Sequence, residues 1–418
     1  MSTKFADMSN KKNTRPIVED PELYARMKDH LYSKKALLGE DSPFSELLQS
    51  MVDQMLDGEM DSFMADQKSE GRRNKRNGKT SKQVLSPSGL LYIQTPRDRN
   101  GDFEPELVGK RQRELTSGLD DQIIALYAQG NSIEDVRRLV SKIYGVEISA
   151  GKISQITDKV LPLIQEWQSR PLKAFYPVVY LDAVHFKVRY EGRYESRAFY
   201  TVYSVDWEGQ RDLLGMYIQS GEGATRWGLV LEDLQQRGVQ DILVICTDNL
   251  TGFSEVISEV YPGSIVQKCI VHQVRNSLRF VSDKDRKKVV VDLRKVYTAA
   301  NVQQAVLALD AFEVKWGQTY GYILKQWRQN WDELMAFMDF PKEMRRMIYT
   351  TNPVEALHRI VRKMIKGKAA WVSDTALMKQ IYLSLMHNEK SWRRRARGWK
   401  SIQLQLFENY EERIGKWV

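Results

Sequence analysis

Three carboxylates stand at places where a carboxylate needs a reason. Asp182 interrupts YPVVYLDAVHFKVRY, residues 176–190, in which Val178, Tyr180, Val184 and Phe186 alternate with Val179, Leu181, Ala183 and His185. Both faces of that run are apolar up to Ala183, the pattern of a strand covered on both sides. A buried, unpaired carboxylate is unfavourable there. Asp182 is therefore either satisfied by an Arg or a backbone N–H, or it is a metal ligand. Asp248 ends the short apolar strand DILVICTD. Asp-Asn is turn chemistry, yet functional groups also gather at the carboxyl ends of strands in open α/β sheets. Glu355 falls in YTTNPVEALHRIVRKMIKGK, at the third position of a helix that Asn352 can cap and Pro353 can open. It completes a capping box there. Followed by His358, Arg359, Arg362 and Lys363, it can also form the wall of an active site whose basic stripe holds a nucleic acid strand.

The elements that must position these acids follow from the pattern. After residues 176–190 come AFYTVYSVDW and DLLGMYIQ, joined through EG and EGQ turns, which predicts three antiparallel strands. ATRWGLVLEDLQQRG reads as a helix, DILVICTD as a buried parallel strand, GFSEVISEVYPG as a helix, SIVQKC as a strand and IVHQVRNSLRFV as a helix. This order predicts an α/β mixed sheet, βββαβα, of the ribonuclease H-like type. The fourth strand then lies beside the first, about 4.8 Å away. Asp248 can thus approach Asp182, and two carboxylates that close repel unless a cation balances them. Residues 283–350 read as all-helical, with Trp316, Trp327 and Trp331 forming a small core, and helices return over 352–418.

Upstream, residues 119–167 read as three helices. Ser132 opens the second, with Asp135 three residues on, and Ser149 caps the third. A polar third start, with Lys152, Ser154 and Gln155, resembles a helix-turn-helix, although trihelical units also serve other roles. Residues 20–66 carry a helical apolar stripe that fits either a dimer face or a packed helical pair. LLYIQTPRDRNGDF reads as strand and loop.

The chain has 418 residues, 63 Lys and Arg against 54 Asp and Glu, and two cysteines. No apolar run is long enough to span a membrane and no apolar signal core opens the sequence. Two cysteines exclude a disulfide framework and fit a reducing cytoplasm. The basic excess is concentrated: KSEGRRNKRNGKTSK (68–82) reads as an exposed basic linker, and KSWRRRARGWK (390–400) interleaves six basic residues with two tryptophans. Runs of this kind favour phosphate contacts.

At this point the chain resembles the mutator-type transposases of bacterial insertion sequences. The matching pieces are RPLKAFYPVVYLDAVHFKVR, LGMYIQSGEGATRWGLVLEDLQQRGVQDILVICTDNLTGF, QKCIVHQVRNSLRFV and YTTNPVEALHRIVRK, and weaker ones extend the match over roughly 80–400. The resemblance implies a DDE transposase with a ribonuclease H-like core interrupted by an all-α insertion, a helical N-terminal DNA-binding region and a helical C-terminus. It implies an Asp-Asp-Glu trio of Asp182, Asp248 and Glu355, binding two divalent cations, Mg²⁺ with Mn²⁺ substituting. Carboxylate oxygens suit such hard ions, and a pair of them can relieve charge on the attacking and leaving oxygens of a phosphodiester. One departure stands out: this chain has Asn249 where the family usually places Gly after the second acid. The family's Cys-x-x-His pair is Cys269 and His272, followed by Arg275 and Asn276. Zinc needs about four ligands and no second pair is near, so these four residues, with Asn352, are assigned structural or DNA-proximal roles.

The expected organisation is an N-terminal helical region (1–67) whose apolar stripe fits a dimer face, a basic linker and extended segment (68–118), a helix-turn-helix-like domain (119–170), the first part of the catalytic core (171–282), the insertion (283–350), and the last part of the core with basic C-terminal helices (351–418). DNA contacts are expected from Arg72, Arg73, Lys75 and Arg76 in the linker and from Lys152, Ser154 and Gln155 in the third helix. Further contacts are expected from Lys287, Lys288, Arg345 and Arg346 at the insertion's edges, from Arg359, Arg362 and Lys363 beside Glu355, and from Arg393, Arg394 and Arg395. The expected partners are double-stranded DNA, as terminal inverted repeats and as target, and further copies of the chain, in a bacterial cytoplasm at the nucleoid. A nuclease that cuts without joining would not need the insertion. A repressor derived from a transposase would not need all three acids.

Overall fold

The computed structural model describes residues 20–33, 42–86, 89–112, 118–144, 147–221, 223–349, 352–365, 368 and 370–418; for 85, 89, 118, 144, 352, 353, 355, 364 and 365 it describes the backbone alone. Contacts divide the chain into two compact units, Met1–Ile124 with Ile133–Ile156, and Ala125–Ser132 with Thr157–Val418.

In the first unit, helices α1 (Pro21–Tyr32) and α2 (Pro43–Ser69) precede strands β1 (Arg76–Ser86) and β2 (Gly89–Asp98), an antiparallel hairpin. Two strands alone are marginal in water. Here α2 supplies the missing layer: Val52 and Leu56 pack with Val84, Leu91, Ile93 and Val108. It also covers the free edge of β2, where Gln49 Oε1 accepts from Tyr92 N (3.1 Å) and Asp53 Oδ1 from Gln94 N (2.7 Å). The basic run at 68–82 is thus not a linker: its second half is strand β1. Lys and Thr on one face hid the alternation that Val84 completes. The first unit also holds α4 (Ile133–Tyr144) and most of α5 (Ala150–Asp158), whose Lys152 N bonds to Ser149 Oγ at 3.1 Å, the expected cap. Helix α3 (Gly118–Ala128) has residues 118–124 in the first unit and 125–128 in the second. Tyr127 at the end of α3 bonds through its OH to Ala376 O and through its carbonyl to Gln380 Nε2.

The second unit is built on a five-stranded mixed sheet. Helix α6 (Leu161–Ser169) leads into β3 (Phe175–Tyr190), β4 (Arg193–Val205) and β5 (Arg211–Gln219), all antiparallel. Glu191 and Gly192 both take positive φ (46° and 80°), which gives the β3–β4 hairpin a tight two-residue loop matched to strand twist. Helix α7 (Ala224–Gln236), strand β6 (Asp241–Thr247), helix α8 (Phe253–Val260), strand β7 (Ile265–Lys268) and helix α9 (Ile270–Ser277) follow. The strand order is β5-β4-β3-β6-β7, with β6 and β7 parallel to β3, as the residue pattern predicts. One face packs Leu181 and Ile245 under Trp227 and Leu231 of α7 and Phe253 of α8.

The other face packs Tyr180, Val184 and Cys246 against helices from the rest of the chain. These are α10 (Asp283–Tyr297), α11 (Val302–Gln329), α12 (Trp331–Met335), a short 3-10 turn (Ala336–Asp339), α13 (Lys342–Ile348), α14 (Asn352–Ile365), α15 (Asp374–His387), α16 (Glu389–Trp392) and α17 (Trp399–Ile414). Trp316 and Trp327 belong to this shared core, with Trp331 packed against it, so the helices at 283–348 have no separate core of their own.

Inside those helices, Asp292 is buried and accepts from Lys295 Nζ (2.8 Å), Lys315 Nζ (2.7 Å) and Trp316 Nε1 (3.0 Å). Burial opposes its charge, but the three donors outweigh burial and hold the carboxyl far below the usual carboxylate range. A depressed carboxyl stabilises the fold above the unfolded value, about 4, and loses that contribution as pH falls through the folded value. Asp292→Asn should therefore cost about 2 kcal/mol at pH 7. In urea unfolding, the gap from wild type should narrow below about pH 4; a gap unchanged down to pH 3 would contradict it.

Candidate active site

Asp182 lies on β3, 6% exposed, opposite Thr201 of β4. Its Oδ1 accepts from Ala183 N (2.9 Å), and His358 Nδ1 of α14 stands 3.3 Å from its Oδ2, at ion-pair distance but outside hydrogen-bond geometry. Burial pushes this carboxyl up. The His358 imidazole, the charge of His272 and the Ala183 N–H outweigh that and hold it below the usual carboxylate range. Asp182 is thus met by a backbone N–H, and its charged form is favoured in a dry place.

Asp248 follows the last residue of β6. Its Oδ1 accepts from Leu250 N (3.2 Å), the turn expected of Asp-Asn, and its carbonyl accepts from Thr247 Oγ1 (2.8 Å). The parallel pairing runs Val178↔Val244, Val179↔Ile245, Tyr180↔Cys246. Two residues further along each chain come Asp182, still within β3, and Asp248, just past the end of β6. Asn249, the departure from the family pattern, donates through Nδ2 to Gln273 Oε1 of α9, tying the Asp248 turn to that helix.

α9 presents the third charged group. Contact with Cys269 raises the His272 imidazole, burial opposes, and the charges of Cys269, Asp182 and Asp248 raise it further. His272 thus lies within electrostatic reach of both acids. Its Nδ1 is buried without a hydrogen-bond partner. Cys246 and Cys269 are buried and form no disulfide, and burial with the nearby Cys269 pushes Cys246 up. Arg275 and Asn276 are exposed on the same helix.

Glu355 is in α14, three residues before His358; its side chain, like that of Asn352, lies outside the described residues. Among the described residues, no group of three or more His, Cys, Asp or Glu is placed to hold a metal ion.

The residues expected to touch DNA fall into two sets. Arg72, Arg73, Lys75, Lys152, Gln155, Lys287, Lys288, Arg346, Arg359, Arg362, Lys363, Arg394 and Arg395 are exposed. Others are engaged: Arg76 pairs with Asp57 and Asp61, Arg393 with Glu389, and Ser154 is half-buried. Arg345 is engaged as well. Its guanidinium donates to Met338 O (2.7 Å) and Phe340 O (2.9 Å), closing the turn before α13, so it serves the fold. Thr201, Gln273 and the polar role of His358 escaped the sequence, because their partners are distant in the chain and only the sheet register joins them.

The sequence model described as Transposase, Mutator family, matches residues 23–395. A probable transposase for the ISRM3-like insertion sequence element of Sinorhizobium fredii is 39% identical over 380 residues, covering 90% of this chain and 95% of that one. The transposase for insertion sequence element ISRM3 of Rhizobium meliloti is 39% identical over the same shares. Among solved structures, the Drosophila P element transposase strand transfer complex covers 71% of this chain and 86% of that chain, at 10% identity and a TM-score of 0.28, too slight a likeness to carry weight. The chain belongs to the Mutator family of transposases. No described helix is long and apolar enough to cross a membrane.

Proposed function

We propose that the protein is the DNA transposase of a bacterial insertion sequence, with Asp182, Asp248 and Glu355 as its catalytic trio on a ribonuclease H-like core. The observation that supports this reading is the parallel pairing of β3 with β6: Asp182 stands on the one strand, and the other ends one residue before Asp248. The donor set fits a hard divalent cation: oxygen ligands only, one of them buried yet held in its charged form. Asp182 and Asp248, with Glu355, would hold Mg²⁺, or Mn²⁺ in its place. Two such ions would supply charge relief on the attacking and leaving oxygens of a phosphodiester. The chain's own groups do the rest. The Asn249–Gln273 bond holds the Asp248 turn against α9. His272, whose imidazole Cys269 and the two acids raise, stands within electrostatic reach of both acids. Arg359, Arg362 and Lys363, exposed on the helix of Glu355, grip the backbone of the reacting strand. The same in-line geometry serves cleavage of the element end and attack of the freed 3′-OH on target DNA.

The first unit, with the helix-turn-helix reading of α3 to α5, binds the terminal inverted repeats, and copies of the chain assemble on the DNA in the cytoplasm. Arg72, Arg73 and Lys75 follow α2 with their side chains exposed, Arg72 beside Glu70 at 3.2 Å. Changing all three to Gln should weaken binding of the full chain to terminal DNA and reduce the slope of log affinity against log salt by about 1 per lost contact. An unchanged slope would remove them from the interface. The reading as a whole is tested by incubating the full chain with a duplex bearing the element's own end and Mg²⁺. A nick at the element boundary, abolished by chelator, is the expected product.

A further inference from the structure

Helix α14 buries Val354, Leu357 and Val361 in the shared core, and between them it buries an imidazole, His358, at 0% exposure. A leucine would pack there as well, and a polar ring is unfavourable in such a place unless its nitrogens are met. Both are approached by groups of the sheet. Nε2 lies 2.9 Å from Thr201 Oγ1, and Nδ1 lies 3.3 Å from Asp182 Oδ2. Thr201 pairs with Asp182 across the β3–β4 ladder, and its hydroxyl donates to the Asp182 carbonyl at 3.0 Å. A hydroxyl has one proton, so with that proton on the carbonyl Thr201 can only accept from the ring. Nε2–H therefore points at Thr201. That contact fixes the ring, and the fixed ring stands with Nδ1 3.3 Å from Oδ2, outside hydrogen-bond geometry, where it limits the rotations open to the carboxylate. The other carboxylate oxygen is held by Ala183 N. Each oxygen keeps a second lone-pair direction for a cation.

We propose that His358 is a positioning residue: through Thr201 and Asp182 it sets the orientation of the Asp182 carboxylate and fixes α14, hence the backbone of Glu355, in register with β3. One ring thereby ties the helix of the third acid to the strand of the first. This rests on the reading of Asp182 as a cation ligand.

Partners that orient metal-binding carboxylates typically change metal affinity or activity about 10- to 100-fold when removed. The test uses the full chain and compares His358→Leu, which keeps the packing volume, with His358→Asn, whose Nδ2 can take the place of ring Nδ1. Free Mn²⁺ is measured by electron paramagnetic resonance, alongside the melting temperature and Mg²⁺-dependent nicking of terminal DNA. We expect His358→Leu to weaken Mn²⁺ binding about tenfold or more. His358→Asn should recover most of that loss, although both variants shift the melt alike. Leu at wild-type affinity, or Asn as weak as Leu, would make His358 a packing residue and overturn the proposal. Should His358→Leu not fold, Thr201→Val decides, since it frees the ring while leaving His358 and Asp182 in place: a clear loss of Mn²⁺ affinity supports the proposal and wild-type affinity overturns it. A wild-type chain that binds no Mn²⁺ would instead overturn the cation reading itself, before any substitution is compared.

Discussion

Asp182→Ala, Asp248→Ala and Glu355→Ala should each lose strand cleavage by a hundredfold to a thousandfold or more, the order expected when one preorganised partner of a developing charge is removed. Binding to the element end should remain near wild type, because the exposed basic residues of the first unit are untouched. The three losses should also fail to add: a double variant should be little worse than either single one, since the groups act together on one site. Asp182 carries a further expectation. It is buried beside His358, so Asp182→Ala leaves the ring facing a void and should lower stability as well. Asp248 stands in a turn, and its replacement costs one Leu250 N–H contact. Cleavage within tenfold of wild type in any variant, at equal DNA occupancy, would remove that residue from the site.

The second large effect concerns the helices inserted before Glu355. Trp327 is fully buried, donates from Nε1 to Ser277 Oγ of α9 at 2.9 Å, and shares its core with Tyr180 and Cys246 of the sheet. Trp327→Ala should cost about 3–5 kcal/mol and lower the main melting transition by roughly 6–20 °C. The loss should reach the active site, because α9 carries His272 and the Gln273 that holds Asn249. An early separate transition, with the rest of the molecule melting at the wild-type temperature, would mean that the insertion has its own core after all.

The sheet was legible because its residues are chemically one-sided. β3 is buried without interruption as far as Asp182 and alternates afterwards, matching the run of β-branched and aromatic residues that ends in Lys and Arg. The wholly apolar DILVICT could only be a covered strand; it pairs with β3, so Asp248 follows the end of the strand beside the one that carries Asp182. The hairpin at 76–98 was half hidden, because Lys79, Thr80, Lys82 and Gln83 show no apolar face; only Val84 does, and its partners on α2 are some thirty residues upstream. Arg345 looked like a DNA contact because charge is visible in sequence and its bonds to the carbonyls of Met338 and Phe340 are not. His358 looked like one more member of a basic stripe. Its role depends on Thr201, 157 residues away, and no local pattern announces that pairing.

Whether the paired aspartates hold the cation is tested most directly by changing the ligand's softness. Asp248→Cys replaces a hard oxygen by a thiolate, which binds Mg²⁺ poorly and accepts softer divalent ions. On a duplex bearing the element end, the variant should be inactive in Mg²⁺ and regain cleavage in Mn²⁺, while wild type works in both. If Asp248→Cys cleaves in Mg²⁺ as wild type does, Asp248 does not hold the cation and the account of this site is wrong.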